Sequence, residues 1–246
     1  MNETMQSSSK LKIFFDLIFP PQCMMCGKRI EDGEEDGMCH GCLLQIPYIS
    51  SPLCHRCGLP FLLETGSNHF CNDCLLSPPL FKTARALGKY EEGLKKVIAL
   101  FKYEGKFNLG EGLGRLMARI PHTDLTMSSY DLFMPVPLHP KRLRERGFNQ
   151  AVVLASQLSK RYQIPVDSMN LCRHRPTESQ IHLSFNERRT NVKGAFGVND
   201  KGKIKGKNIL LIDDVYTSGA TVNECAKVLI KAGAETVDVL TLARAV

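Results

Sequence analysis

Four Cys-x-x-Cys pairs in the first third of the chain restrict its folding more than any other feature of the sequence. The pairs are Cys23 and Cys26, Cys39 and Cys42, Cys54 and Cys57, and Cys71 and Cys74. Two intervening residues let both sulfurs of a pair bind one ion, and two pairs complete a tetrahedral shell of four thiolates. The spacing therefore predicts two structural zinc sites, held in two successive zinc ribbons.

The same cysteines could in principle serve other chemistry than zinc binding. A disulfide framework or a redox-active pair is disfavoured, because no secretory signal precedes the cysteines and four repeated pairs exceed what redox chemistry requires. An iron–sulfur cluster stays open as an alternative. Replacement of a cysteine ligand by His55 or His69 is a further alternative. Sequential pairing of the motifs is assumed, and interleaved pairing stays open because the spacing alone does not exclude it.

The segment at residues 207–229 joins an apolar run, two carboxylates, a small-residue loop and a helix. The run at residues 209–212 predicts a strand buried on both faces, as in a parallel sheet. Asp213 and Asp214 follow it, and apolar residues at helical spacing come after the loop. The loop consists of small or hydroxyl-bearing residues, namely Thr217, Ser218, Gly219, Ala220 and Thr221.

This strand, loop and helix start predict a site for a sugar phosphate. The first N–H groups of a helix lack intrahelical partners, and together with the helix dipole they bind anions such as phosphate. Neighbouring carboxylates accept hydrogen bonds from vicinal hydroxyls and can hold the hydration shell of a cation. The alternative is purely structural, with the acidic pair ending a strand and capping a helix.

Residues 209–221 resemble the 5-phosphoribosyl-1-pyrophosphate (PRPP) motif of type I phosphoribosyltransferases. The resemblance implies that Asp213 and Asp214 bind the ribose 2′- and 3′-hydroxyls, that residues 217–221 bind the 5-phosphate, and that Mg²⁺ accompanies PRPP. Thr217 stands where purine-base enzymes commonly have an aspartate that handles a ring proton. This departure argues against base salvage, and no catalytic residue is assigned.

A second basic loop follows another predicted strand. Arg142 and Arg146 lie just before Gly147, and guanidinium groups beside a glycine turn suit the oxygens of a pyrophosphate. We therefore predict that these three residues contribute to a pyrophosphate site, with a solvated charge run as the alternative. Lys102, at the end of an amphipathic helix, is predicted to be part of a solvated basic helix end.

The basic loop, with its Arg-Gly-Phe-Asn-Gln form, resembles the pyrophosphate loop of the same transferases. Together with the cysteine module it resembles the ComF family, over about residues 19–244. The resemblance implies an α/β fold of the type I phosphoribosyltransferase kind, a Rossmann-like parallel sheet with helices on both faces, preceded by a zinc-ribbon module. We expect a helix or docking segment at 1–19, a double zinc ribbon at 20–78 and a phosphoribosyltransferase-like domain at 79–246.

The charge of the chain is unevenly distributed. The formal net charge is +7, and residues 1–80 carry 5 basic and 9 acidic groups, so residues 81–246 have a net charge of +11 (27 − 16). This asymmetry suits a polyanionic partner, either a pyrophosphate-bearing ligand or nucleic acid. No apolar run approaches the roughly 20 residues of a membrane span, and the apolar N-terminal segment lacks a cleavage site, so we expect no stable membrane insertion and a cytoplasmic protein.

Three functional hypotheses follow. The ComF resemblance implies DNA uptake in natural transformation, in which the protein binds PRPP or a related phosphorylated ligand and handles single-stranded DNA with a helicase partner. We favour this interpretation. The second hypothesis is an active phosphoribosyltransferase with an unknown acceptor, and the third is a sensor that binds PRPP without turnover.

Overall fold

The structure is a computed structural model that describes residues 20, 22–23, 25–30, 37–62, 66–103, 107–175 and 190–246. The segment at 1–19, predicted to be a helix or docking segment, lies outside the described residues. Residues 176–189 also lie outside the described residues; the family resemblance implies that the stretch to which they belong is a loop closing over PRPP. Among the described helices, none combines the length and the apolar character needed to cross a membrane.

The described elements alternate between strands and helices after the cysteine-rich module. The strands are β1 (Ala84–Lys89), β2 (Leu132–Pro135), β3 (Leu171–Arg173), β4 (Phe196–Val198), β5 (Asn208–Tyr216) and β6 (Thr236–Arg244). The helices are α1 (His40–Leu44), α2 (Asn72–Leu76), α3 (Glu92–Tyr103), α4 (Phe107–Arg119), α5 (Pro140–Arg146), α6 (Gln150–Tyr162) and α7 (Ala220–Lys231). A short 3₁₀ turn, Met127–Ser129, precedes β2.

The main sheet is parallel, with the strand order β1-β6-β5-β2. The apolar run at residues 209–212 lies in β5, where it has a hydrogen-bonded neighbour on each side and is fully buried. A continuous apolar run is what a strand needs when both of its faces are covered. The outer edge of β2 is bridged at Phe133 to Val166.

Alternate residues of β5 enter two separate hydrophobic layers. Leu210 and Ile212 belong to the core that includes α3, α4 and α6. Ile209 and Leu211 belong to the core that includes α7. Successive side chains of a strand point to opposite faces, so the sheet has helices on both sides. The predicted α/β architecture is confirmed.

β5 extends further than the apolar run that predicted it. Its pairing with β6 continues to Tyr216, whereas β2 ends at Pro135, opposite Ile212. Asp213 and Asp214 therefore lie past the end of β2. Since α6 and α7 leave β2 and β5 on opposite faces, a crevice opens between the loops that follow these two strands, which is where parallel α/β sheets bind ligands.

The cysteine-rich module covers the edge strand β1. The Lys89 amide donates to the Pro47 carbonyl (2.8 Å), and the Ile49 amide donates to the Leu87 carbonyl (3.1 Å). These bonds satisfy backbone groups that an open sheet edge would expose. The boundary at residue 78 stays a prediction, and the module it delimits is joined to the sheet by backbone hydrogen bonds.

Residues 171–196 contain more regular structure than the sequence indicates. The stretch is rich in polar and basic residues and lacks helical periodicity, which by itself predicts a long polar loop. The structure instead places β3 and β4 beside each other as a short antiparallel pair. Strands of three residues are too short for an alternating pattern to identify, and here each is stabilised by its partner.

Candidate functional site

The acidic pair lies at the bottom of the crevice between the loops after β2 and β5. Asp213 and Asp214 are consecutive residues of β5, and the Asp214 amide donates to Asp213 Oδ1 (2.9 Å). Burial, and after it the charge of Asp214, raise the pKa of Asp213 to about 7. Two carboxylates in this position can accept hydrogen bonds from two adjacent hydroxyls.

Lys102 also lies at this site, although its place at a helix end predicts that it is solvated. Its Nζ lies 2.9 Å from Asp214 Oδ1, and the two side chains are only 17% and 13% exposed. Burial by itself would lower the pKa of Lys102, but the carboxylates of Asp214 and Asp213 raise it. The prediction of a solvated helix end is therefore wrong for Lys102. One signal was available, because Lys102 follows buried Ile98 by four residues and so lies on the apolar face of α3.

The small-residue loop turns the chain from β5 into α7. Gly219 is the N-cap of α7 and has a φ of +73°, a left-handed conformation that favours glycine. A Cβ atom at this position would lie 2.2 Å from Tyr216 Oη. Thr217 and Ser218 are half-buried, and the Ala220 amide lies 3.4 Å from Ser218 Oγ. Tight packing on the tyrosine thus holds the loop at the start of the helix.

The basic loop after β2 forms the short helix α5. Its N-cap, His139, accepts a hydrogen bond from the Lys141 amide (3.2 Å), and Gly147 ends it with a φ of +78°. Arg142 and Arg146 are one helical turn apart and half-buried. They therefore share one face of α5.

The two arginines act electrostatically on charged residues that also interact with the acidic pair. Burial and, to a lesser degree, Arg146 lower the pKa of Lys102, against the larger raising effect of the two carboxylates. Burial lowers the pKa of Arg173, to which Arg142 adds and which Asp213 opposes. Arg146 Nη1 donates to Gln150 Oε1 (3.1 Å), which fixes its direction. These charges place the basic loop near the two carboxylates, and the small-residue loop follows the acidic pair directly along the chain.

The eight paired cysteines form two groups, each with four Sγ atoms within 4.8 Å of one another. The first group is Cys23, Cys26, Cys39 and Cys42, and the second is Cys54, Cys57, Cys71 and Cys74. Each group thus uses two consecutive pairs. Within the residues that the structure describes, these are the two clusters of metal-ligating side chains of this size.

Backbone geometry shows that both groups fit a tetrahedral zinc ion. The amide of Cys39 donates to Cys23 Sγ (3.3 Å), and that of Cys71 donates to Cys54 Sγ (3.4 Å). Cys39 and Cys71 are also the N-caps of α1 and α2, where the helix dipole favours a thiolate. The two groups therefore share one local design, with four thiolates and no position for a water molecule.

The histidines near the ligands have other contacts. His69 Nδ1 lies 3.1 Å from the Ser67 carbonyl oxygen, and its ring stacks on Phe61 with centroids 3.7 Å apart. His55 packs its ring against Phe70 at 5.6 Å. Neither histidine belongs to a cysteine group.

The second cysteine group is linked to the small-residue loop through Arg244. The Arg244 Nη2 donates to Cys57 Sγ (3.4 Å), and its guanidinium lies 4.3 Å from the centroid of the Tyr216 ring. Tyr216 in turn packs against Gly219. A cavity of about 290 Å³ lies between the second group and the loop. All four cysteines of this group are buried, whereas Cys26 of the first group is exposed.

Gly219→Ala is expected to weaken binding of PRPP by about tenfold or more, because a displaced loop misplaces every donor it carries. The added methyl group meets the Tyr216 hydroxyl, and the backbone strain alone costs about 1–2 kcal/mol of folding free energy. Isothermal titration calorimetry and urea unfolding measure the two effects.

Gly206→Ala is the matched control for this substitution. Gly206 has a φ of +70°, and its added Cβ would meet no atom within 4 Å. Gly206→Ala should therefore lose a similar amount of folding free energy to backbone strain and bind PRPP with the wild-type affinity. Equal losses of affinity in the two variants would contradict the packing of the loop on Tyr216.

Two family models match the chain. One is the double zinc ribbon domain over residues 14–75, and the other is the phosphoribosyl transferase domain over residues 148–245. The second match includes β5, the acidic pair and the small-residue loop, and begins just after Arg146. With the parallel sheet and the two cysteine groups, these matches confirm the predicted phosphoribosyltransferase fold and its zinc-ribbon module.

Similar proteins match over nearly the whole chain. Competence protein F of Haemophilus influenzae is 34% identical over 228 residues, which cover 91% of this chain and 97% of that protein. DNA utilization protein YhgH of Escherichia coli K12 is 32% identical over 231 residues, 93% of this chain and 99% of that protein. Competence protein ComFC of Bacillus subtilis is 27% identical over 219 residues, 85% of each.

Solved structures match about half of the chain. A glutamine PRPP amidotransferase from Bacillus subtilis is 21% identical, with 54% of this chain and 25% of that chain covered and a TM-score of 0.37. A hypoxanthine phosphoribosyltransferase from Staphylococcus aureus is 17% identical, with 55% and 64% covered and a TM-score of 0.35. Similarities at this level assign neither a substrate nor a reaction to this chain.

Proposed function

This chain belongs to the ComF family, together with competence protein F and DNA utilization protein YhgH, and on that premise we propose that it binds a phosphorylated ribose and handles single-stranded DNA during DNA uptake. The proposed ligand is PRPP or a related compound. The proposed setting is natural transformation, in the cytoplasm and with a helicase partner. The names of two relatives, competence protein F and ComFC, support the setting.

The observation that carries the ligand proposal is the convergence of three groups in one crevice. Asp213 and Asp214 provide acceptors for the ribose hydroxyls, and the loop before α7 provides small residues and a helix start for the 5-phosphate. Arg142 and Arg146 provide guanidinium groups for a pyrophosphate. Mg²⁺ would enter with PRPP, bound to its pyrophosphate oxygens.

The two cysteine groups hold zinc in this proposal. Their four-sulfur shells leave no position for a substrate, so the ions stabilise the fold. Metal binding then contributes directly to the free energy of folding of a module that is too small to build a large core of its own.

The DNA proposal is supported by charge and by one exposed ring. Residues 81–246 carry a net charge of +11 (27 − 16). On the second ribbon, Phe70 is 44% exposed, and the Arg56 guanidinium lies 5.9 Å from the centroid of its ring. An exposed aromatic ring beside a cation suits base stacking and backbone contact in single strands.

Both ligands are tested best on one sample. PRPP binding is measured by calorimetry, and binding of a fluorescent oligothymidine by anisotropy, each with and without the other ligand. Binding of both supports the proposal. Failure of PRPP to bind would remove the ligand part, and failure of the oligonucleotide to bind would remove the DNA part.

The salt dependence of DNA binding is expected to be steep. Each phosphate contacted in a single strand should contribute about −0.7 to the slope of log K against log salt, because condensed counterions are released. Anisotropy titrations over a range of NaCl concentrations measure this slope. A flat salt dependence would contradict an electrostatic contact with DNA.

Phe70→Ala separates stacking from charge in the same assay. Loss of one stacked base costs about 1–3 kcal/mol, so the affinity should fall at least about fivefold while the salt slope stays unchanged. Leu62→Ala is the control, because Leu62 is a fully exposed apolar residue of the same module and has no aromatic ring on which a base could stack. Equal effects of the two substitutions would contradict stacking on Phe70.

Catalysis is a second candidate function, favoured by the match to the phosphoribosyl transferase domain over residues 148–245. Pyrophosphate release from PRPP, assayed across nucleobases and amines with the wild-type protein, tests it. Release with any acceptor would establish an enzyme. Its absence with all of them, combined with PRPP binding, would favour a protein that binds PRPP without turnover.

A further inference from the structure

The acidic pair has an internal cation. Lys102 Nζ contacts Asp214 Oδ1 at 2.9 Å, and both side chains are mostly shielded from water. Exposed ion pairs of this kind contribute little, but a shielded one compensates charges that would otherwise be costly. Lys102 therefore supplies positive charge beside two carboxylates, which are otherwise the kind of ligands that a divalent cation prefers.

A rigid helix fixes this cation. Leu94, Ile98 and Phe101 of α3 are fully buried in the core layer that also contains Leu210 and Ile212 of β5. The Lys102 ammonium is thus held between a packed helix and the end of the central strand. An ammonium has three donors, so it can keep one on Asp214 and offer another to a ligand oxygen.

The charges around Lys102 define its role. Asp213 and Asp214 favour the ammonium form, and Arg146, from the loop after β2, opposes it. Among the residues that the structure describes, Lys102 is the cation in contact with Asp214, so that its removal would leave two adjacent carboxylates. Two adjacent carboxylates in that situation either take up a proton or recruit a metal ion.

We propose that Lys102 is the resident counter-ion of the acidic pair, so that a ribose 5-phosphate binds in the crevice without a divalent cation. The inference rests on the proposed function, because it concerns the same crevice and the same diol. It makes Lys102 a residue that positions the carboxylates. The proposal does not concern the Mg²⁺ that binds the pyrophosphate of PRPP. Ribose 5-phosphate is the probe because it has no pyrophosphate.

Calorimetry with ribose 5-phosphate in EDTA and in millimolar MgCl₂ tests the proposal. We expect the wild-type affinity to change less than about twofold between the two buffers, and Lys102→Met to bind about tenfold or more weakly in EDTA and to recover in MgCl₂. Lys102→Arg should stay independent of magnesium. Lys96→Met, at an exposed position of the same helix, should behave as the wild type.

Two results would overturn the proposal. One is loss of wild-type binding in EDTA, and the other is binding by Lys102→Met that does not respond to MgCl₂. Thermal unfolding and zinc content show whether each variant is folded, and Lys102→Arg keeps the test valid if the methionine variant is not.

A second measurement separates this inference from the proposed function. Mn²⁺ binding, followed by electron paramagnetic resonance without any sugar phosphate, reports on the acidic pair alone. We expect a site in Lys102→Met that is absent from the wild type. If ribose 5-phosphate fails to bind any form, the proposed ligand is wrong, and the Mn²⁺ result still decides the role of Lys102. Equal Mn²⁺ binding by wild type and Lys102→Met would overturn that role.

Discussion

Replacing both carboxylates of the crevice, Asp213→Asn with Asp214→Asn, is expected to abolish measurable PRPP binding while both cysteine groups keep their zinc. Hydrogen bonds to charged groups contribute about 1.5–3 kcal/mol each, so losing two charged acceptors should lower the affinity by about a hundredfold or more. Calorimetry measures the affinity, and metal analysis of the same sample measures the zinc. The acidic pair lies outside both cysteine groups, which is why the two measurements should separate.

Asp131→Asn is the control for the loss of negative charge. Asp131 precedes β2 at the opposite end of the sheet, where its Oδ2 accepts a hydrogen bond from the Asn208 amide (2.8 Å) and its Oδ1 lies 3.7 Å from Lys207 Nζ. This variant should bind PRPP as the wild type does. Unaltered PRPP affinity in the double variant would show that the assignment of the acidic pair to the ribose hydroxyls is wrong.

Cys57→Ser is expected to destabilise the protein far more than Cys26→Ser, although each removes one thiolate from a four-sulfur group. Cys57 is 5% exposed and accepts the hydrogen bond of Arg244, whose Nε and Nη1 are buried and have no partner. Removing one partner of a buried charge pair costs about 3–5 kcal/mol. Cys26 is exposed, so its loss leaves no buried charge uncompensated. Urea unfolding measures the difference.

The same pair of variants tests the link between the second ribbon and the ligand crevice. Arg244 lies over Tyr216, and Tyr216 packs against Gly219 at the start of α7. Hydrogen exchange of residues 216–222 should therefore increase in Cys57→Ser and stay unchanged in Cys26→Ser, provided that metal analysis shows the affected group empty in both. Equal effects on stability and exchange would mean that Arg244 does not connect the zinc site to the loop.

The two cysteine groups and the strand that carries the acidic pair could be predicted because their signals are local. Cysteines separated by two residues can bind one ion through local geometry alone, and a four-residue apolar run followed by a tight loop is typical of a strand buried on both faces. The small-residue loop and the acidic pair follow that strand directly. Their place in a crevice then follows from the ends of parallel strands.

The residues that were missed have partners far away in the sequence. Lys102 looks like the end of a basic helix, and only its contact with Asp214, more than a hundred residues later, shows that it is buried. Arg244 lies in the last strand, and its partner Cys57 lies in the second ribbon. Single charged residues carry no periodic pattern, so no reading of the chain alone could pair them.

The sequence by itself determined the kinds of parts in this protein, since ligand spacing, apolar runs and small-residue turns act over a few residues. The tertiary structure decided how these parts meet. It placed the second ribbon against the small-residue loop and a lysine against the acidic pair. Burying a charge requires a partner, and the fold alone determines which partner is near.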